Sequence, residues 1–253
     1  MNRPHDFKAE AIVLKKTRLK EADRILTLYT LEHGKIQAVA RSVSKSQSRL
    51  AGHLEILTHT AVNLSYGRGK LPIITGSQTI DAFLPVRNSL ELTSYGLYFS
   101  ELVSQFTEEE EPHPAVFKLL IESLASLGDE PMSELLARFF ELKLLYELGF
   151  KPELRKCSAC EGALEPDKLA LAPASGGVVC PLCSARFGVS MPVSVNCLKA
   201  LRFIQENDYL SATHLKISSA ISREASSLLR RYICFLLEKD IKSASWLDYL
   251  NCQ

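Results

Sequence analysis

The sequence contains no run of about 18 apolar residues, the length a helix needs to span a bilayer. Its opening stretch carries Arg3, His5, Asp6, Lys8 and Glu10 and lacks the apolar core of a secretion signal, so a cytoplasmic protein is expected. Catalytic signatures are missing too. There is no Gly-x-x-x-x-Gly-Lys-Ser/Thr phosphate loop, no Gly-x-Ser-x-Gly elbow and no His-Glu-x-x-His metal pair. A zinc deaminase needs His-x-Glu ahead of its Cys-x-x-Cys for a third ligand and a general acid/base, and that pattern is also absent. The six histidines are scattered, without metal or triad spacing. Tryptophan occurs once, and residues 1–80 hold only two tyrosines, Tyr29 and Tyr66, each equally readable as a base-stacking ring or as core. Sequence readout of a nucleic acid is therefore not expected, and backbone contacts should dominate any such binding.

What is present most distinctly is a pair of knuckles, Cys157-Ser-Ala-Cys160 and Cys180-Pro-Leu-Cys183, separated by nineteen residues. A spacing of about 15 to 20 between two Cys-x-x-Cys pairs is that of a four-thiolate zinc site. Four protein sulfurs fill a tetrahedral ion completely, leaving no place for water or substrate, so the ion expected is a structural Zn2+. Disulfides are the competing reading, but nothing in the chain suggests export. The remaining cysteines, Cys197, Cys234 and Cys252, have no spacing logic, which suits a reducing compartment.

A net charge of +1 conceals an asymmetry: residues 1–80 carry 13 Lys or Arg against 6 Asp or Glu, and the other 173 residues carry 17 against 23. The basic part suggests polyanion binding. Its apolar residues alternate with period two in five short runs, at residues 11–18, 24–31, 35–41, 57–66 and 71–80, with Ile12 and Leu14 expected on one buried face. Five strands in about 75 residues fit a small closed Greek-key barrel of the oligonucleotide-binding (OB) type, with an SH3-like barrel as the alternative. The candidate phosphate-binding cations are Lys15, Lys16, Arg18, Lys20 and Arg24 around the first turn, Lys35 and Arg41 on the third strand, Lys45 and Arg49 in a serine-rich connection, and Arg68 and Lys70 at the last hairpin.

From residue 81 the period becomes helical. Leu92, Tyr95, Phe99, Leu102, Val103 and Phe106 form one stripe, followed by an acidic run at residues 108–111 read as a solvated loop. Further helices are expected at residues 115–127, from about 131 to 148, at 194–205 and at 219–240, with Trp246 in a short terminal segment. The expected architecture is a multidomain β plus α protein: an OB-fold barrel over 1–80, then an all-helical domain over 81–253 with an inserted zinc-ribbon-like module at 154–188.

Two stretches make the chain resemble the bacterial RecO family of recombination mediators. One is Glu21-Ala-Asp23-Arg24-Ile-Leu-Thr-Leu-Tyr29-Thr30 with His33-Gly34-Lys35 and Ala38-Val-Ala-Arg41; the other is Cys157-x-x-Cys160 with Leu171-Ala-Pro173-Ala-Ser-Gly176-Gly177-Val-Val-Cys180-x-x-Cys183. This chain departs from the family at Ser42, where a glycine is frequent, and at Ser44 and Gln47, where further cations are frequent. The resemblance implies a non-enzymatic, nucleoid-associated protein that binds single- and double-stranded DNA, anneals complementary strands and, with RecR, helps load RecA onto DNA covered by single-strand-binding protein. It also implies a groove in the helical domain for the acidic, phenylalanine-ended tail of that binding protein. A basic rim would meet the tail's carboxylates, and the candidates are Arg138, Lys143, Arg155, Lys199, Arg202, Arg230 and Arg231. An RNA-binding or ribosome-associated zinc protein with an OB-type barrel, and a scaffold whose helices alone recruit partners, are the competing readings.

Overall fold

The computed structural model describes residues 5–44, 50–129, 133–166, 168–244 and 247. Lys45, Arg49, Trp246 and Cys252 lie outside the described residues. Five strands form a closed barrel: β1 (Asp6–Arg18), β2 (Arg24–Thr30), β3 (Gly34–Ala40), β4 (His59–Ser65) and β5 (Ile73–Asp81). Their order around the barrel is β1-β2-β3-β5-β4, all neighbours antiparallel except β3 and β5, which meet in parallel through Val39 and Ile73. A Greek-key barrel of this order is of the oligonucleotide-binding type.

The barrel is filled by Ala9, Ala11 and Val13 of β1 with Leu26, Leu28, Ile36, Ala38, Ala40, Val62, Leu64 and Ile74. Between Val13 and Lys15 the register of β1 against β2 slips by one residue, a β-bulge. Because side chains alternate strictly along a strand, one extra residue exchanges the two faces beyond it. Lys16 therefore lies across from the core residue Leu26, and Lys15 takes the outer face with Thr27 and Gln37. Ile12 and Leu14 do share a buried face, but it is the outside of the barrel; the core takes the smaller Ala11 and Val13.

Helices cover part of that outer face. α1 (Leu84–Asn88), α2 (Leu90–Phe106) and α3 (Pro114–Asp129) belong to the same compact unit as the barrel. Ser89 caps α2 by accepting from the Leu92 amide. Phe117 of α3 packs on the rings of Tyr29 and His59, and the ring of His59 in turn bonds Glu10 at 2.8 Å. Gly96 lets α2 approach closely, since a Cβ there would lie 2.7 Å from Leu57. The change from strands to helices falls where the sequence places it, near residue 81, whereas the compact units divide elsewhere: Met1–Asp129 with Ser243–Gln253, and Glu130–Lys242. The return segment is held to α2 by the amide and hydroxyl of Ser243, which donate to Glu101 at 2.7 and 2.5 Å.

The second unit contains α4 (Ser133–Glu147), a three-stranded sheet of β6 (Ala170–Ala172), β7 (Gly177–Val179) and β8 (Met191–Pro192), and the helices α5 (Pro181–Ser184), α6 (Val195–Glu206), α7 (Tyr209–Thr213) and α8 (Ser219–Leu237). Leu135, Leu136, Leu142 and Leu145 on α4, and Ala225, Leu228, Leu229 and Tyr232 on α8, are buried. The short α7, capped by Asp208, was not legible as a separate helix. Among the described residues no helix is long and apolar enough to cross a membrane.

The acidic run 108–111 is more than a solvated loop. The Glu110 amide donates to the Lys35 carbonyl at 2.9 Å, and Glu109 forms a parallel bridge with Lys35. Gly34 makes this possible: its φ is +64°, and a Cβ would sit 2.1 Å from the Glu111 carbonyl oxygen. Gly34→Ala should therefore lose about 2 kcal/mol or more of stability, combining left-handed strain with a backbone clash, as read by denaturant unfolding.

Candidate nucleic-acid interface and metal centre

Several exposed cations of the barrel gather at the end of β3, where the pairing of Val39 with Ile73 brings the β4–β5 loop beside the β1–β2 and post-β3 turns. Arg18, Arg24 and Ala40 are in register at the end of β1, the start of β2 and the end of β3, and the Val39 amide donates to Pro72 at the close of the β4–β5 loop. Arg18, Lys20, Arg41, Arg68 and Lys70 are all exposed around these loops, and Lys15 is exposed on the adjoining outer face.

Other candidates are engaged elsewhere. Arg24 donates through Nη1 to the carbonyls of Lys20, Glu21 and Asp23 at 3.2, 3.3 and 3.0 Å, bracing the β1–β2 loop from within. Asp23 Oδ1 accepts the Ser42 amide at 2.8 Å, and the Ser44 amide donates to Ala22, so this loop and the turn after β3 are laced together. Sequence reasoning gave Asp23 no role, although an Asp in a turn is a usual acceptor of local amides. Ser42 has φ +53°, a conformation that favours glycine. Lys16 pairs with Glu55 at 2.7 Å and is 19% exposed. Lys35 donates to the carbonyls of Ser104 and Thr107 at 2.6 and 2.5 Å, neutralising the C-terminal end of α2. Tyr29 is fully buried, burial raises its phenol pKa, and its ring meets Phe117, so it is core; Tyr66 is stacked on Phe7.

In the second unit, the four cysteine sulfurs lie within 4.8 Å of one another. A tetrahedral thiolate site with metal–sulfur bonds of about 2.3 Å has sulfur–sulfur edges of about 3.8 Å, and Cys160 Sγ stands 4.0 Å from Cys180 Sγ. The knuckles are built by backbone bonds. Glu161 donates to the Cys157 carbonyl at 2.8 Å, Cys157 donates to Gly162 at 2.9 Å, and the Cys183 and Ser184 amides return to the Cys180 carbonyl. The Cys180 amide points at Cys157 Sγ at 3.4 Å. Burial opposes ionisation of Cys157, but this amide and those of Cys160 and Ala159 outweigh it and bring the thiol down to about 6. Amides aimed at a buried sulfur stabilise a thiolate, the form that ligates metal. A small core of Ala170, Ala172 and Val179 packs around Cys157 and Cys183. The donor set fits a soft-ligand, four-coordinate ion.

Two glycines bind this module to its surroundings for different reasons. Gly176 turns with φ +76°, and at Gly177 a Cβ would lie 2.3 Å from the Glu153 carbonyl oxygen. This close approach is to the segment leading into the first knuckle, where Glu153 forms a parallel bridge with Gly177. Glu153 donates to Gly176 at 2.9 Å and accepts from Val178 at 2.8 Å.

Of the candidate rim cations, Arg138 is not at a rim: it is buried and pairs at 2.5 Å with Glu141, itself fully buried. A charge at a helical position is usually exposed, and this one is retained inside because its partner is three residues on. Lys143 donates to the Gln205 carbonyl at 3.2 Å and lies over the Phe139 ring; burial and the nearby Lys151 lower its pKa. Arg202 donates to Leu154 at 2.6 Å. Arg155 makes a two-pronged pair with Glu206, Nε to Oε1 at 2.7 Å and Nη2 to Oε2 at 2.6 Å, across a cleft of about 550 Å3 between residues 151–156 and Gln205–Glu206. Lys199 and Arg231 are exposed and Arg230 is half-buried.

The chain thus combines a barrel of the oligonucleotide-binding type and a set of helices with a cluster of four thiols. Residues 1–83 match the family described as Recombination protein O N terminal, and residues 87–245 that described as Recombination protein O C terminal. A DNA repair protein RecO of Dehalococcoides mccartyi (strain CBDB1) is 46% identical over 99% of this chain and 98% of its own length. Those of Roseiflexus sp. (strain RS-1) and Syntrophus aciditrophicus (strain SB) are 37% and 32% identical, over 96% and 99% of this chain and 85% and 98% of their own lengths. The chain belongs to the RecO family.

Metal removal should act locally. Chelation, or Cys157→Ser, is expected to abolish hydrogen-exchange protection across residues 151–193 while leaving β1–β5 protected, and to release one metal ion per chain by mass spectrometry. Lys35→Met is expected to lower stability by about 1–2 kcal/mol through the lost helix cap. It should leave the salt dependence of nucleic-acid binding unchanged, whereas loss of a phosphate contact would reduce the slope by about 0.7.

Proposed function

We propose that this protein is a DNA-binding recombination mediator that acts by binding and not by turnover. The observation that carries the reading is the convergence of Arg18, Lys20, Arg41, Arg68 and Lys70 on three adjacent loops of an OB-type barrel, in a chain of a family whose relatives bear the name DNA repair protein. These cations, with Lys15, would neutralise phosphates without reading bases, because the candidate stacking ring Tyr29 is core. Lys45 and Arg49 belong to the same candidate set. Neutralising two strands at one surface reduces their repulsion and favours pairing, so annealing of complementary strands follows from the same electrostatics. With RecR, the protein would promote RecA loading on DNA covered by single-strand-binding protein. The acidic tail of that protein would be taken up in the second unit, where Lys199, Arg202 and Arg231, and Arg155 if it exchanges Glu206 for the tail, supply positive charge.

The ion proposed for the four cysteines is Zn2+. It would hold Cys157, Cys160, Cys180 and Cys183 together and supply folding free energy; it would not supply chemistry, since four thiolates complete its coordination.

The test is annealing of complementary oligonucleotides coated with single-strand-binding protein, with and without that protein's C-terminal tail. Acceleration that requires the tail is expected. Neutralising Lys15, Arg18, Arg41 and Lys70 together to Gln should weaken binding to all DNA sequences alike and lower the salt slope by up to about 3. A wild-type protein that prefers matched RNA over DNA, or a quadruple variant with unchanged affinity, would overturn the reading.

A further inference from the structure

The cations occupy one end of the barrel, and the opposite end of β3 carries the reverse charge. Glu108, Glu109, Glu110 and Glu111 are all exposed. They do not float: Glu109 bridges to Lys35, the Glu110 amide bonds the Lys35 carbonyl, and Gly34 admits the Glu111 backbone. Lys35 simultaneously ties the preceding helix end down through Ser104 and Thr107. One more bond places the charge on the face that matters. Lys15, Thr27 and Gln37 form a row across β1, β2 and β3 on the outer face of the barrel, and Gln37 Nε2 donates to Glu109 Oε1 at 2.9 Å. The row thus begins at an exposed ammonium and ends at a carboxylate.

We propose that Glu109, fastened to β3 in this way, closes one end of the nucleic-acid track, so that a strand following the cations from Arg41 and Arg18 past Lys15 is turned away at Gln37. The proposal rests on the DNA-binding reading and deepens it by fixing the length of strand the barrel engages. Distances decide its reach. Lys15 and Gln37 are two strand spacings apart, about 10 Å, whereas Gln37, which holds the Glu109 carboxylate, and Arg41 are separated by four residues of strand, about 13 Å. Charges are screened over about 8 Å at physiological ionic strength and about 30 Å at 0.01 M. A phosphate near Gln37 therefore feels Glu109 strongly, and one at Arg41 feels it only at low salt.

The experiment compares two variants with the same change in net charge: E108Q/E109Q, in which the amide introduced at position 109 keeps an oxygen to accept from Gln37, and E91Q/E122Q, at exposed positions on α2 and α3. Fluorescence anisotropy follows binding of oligothymidylates of increasing length at about 0.01 M and at physiological ionic strength. At physiological ionic strength E108Q/E109Q is expected to bind long oligonucleotides about threefold or more tightly, with no gain on the shortest that bind, whereas at low salt the shortest should gain as well. E91Q/E122Q should stay close to wild type. Equal gains in both variants, or a gain at physiological ionic strength that is independent of length, would overturn the role of Glu109 while leaving the DNA-binding reading intact. A wild-type protein without salt-dependent affinity for any oligonucleotide would overturn both.

Discussion

One extra residue in β1, between Val13 and Lys15, governs the arrangement of the barrel's surface. Before it, Ala9, Ala11 and Val13 fill the interior and Ile12 faces out toward the helices; after it, the faces exchange. Without the bulge, Lys15 would point into the core and Lys16 outward. With it, Lys16 stands over Leu26 at the barrel mouth, where Glu55 neutralises it, and Lys15 joins the polar row with Thr27 and Gln37. The laced loops at residues 19–23 and 41–44 then present Arg18, Lys20 and Arg41 from a braced frame.

Much of this was legible. Strands gave period two and helices period 3.6, and the cysteine spacing alone picked out the four thiols that the fold brings together. What escaped was anything decided by what lies on the far side of an element. Residues 11–14 are a continuous apolar run, Ala-Ile-Val-Leu, and all four are buried because β1 is covered on both faces. Alternation assigns one face to the core, whereas a continuous run signals burial on two. The local pattern contains the evidence of burial but not the identity of Phe117, a residue far along the chain that packs over the neighbouring strands.

Charged residues failed in the same way. Lys35 and Arg138 read as surface cations because residue type alone predicts exposure. Each has instead a partner set by the fold or by helical phase: two helix-end carbonyls for Lys35 and a buried carboxylate for Arg138. The acidic run at 108–111 is the converse case, exposed as expected yet positioned by backbone pairing that requires a glycine far earlier in the chain, Gly34.

The bonds from Ser243 to Glu101 also bear on how the chain is made. The barrel unit is interrupted in sequence by the 113 residues of Glu130–Lys242, and its last described contributors, Ser243, Ala244 and Leu247, are buried or half-buried. At a synthesis rate of about 5–20 residues per second, roughly 6 to 20 seconds pass on the ribosome between α3 and the segment that completes its unit. During that interval the bonds from Ser243 to Glu101 cannot form, while residues 130–242 emerge with their four cysteines. The order of translation thus makes the second unit available for folding before the first can close.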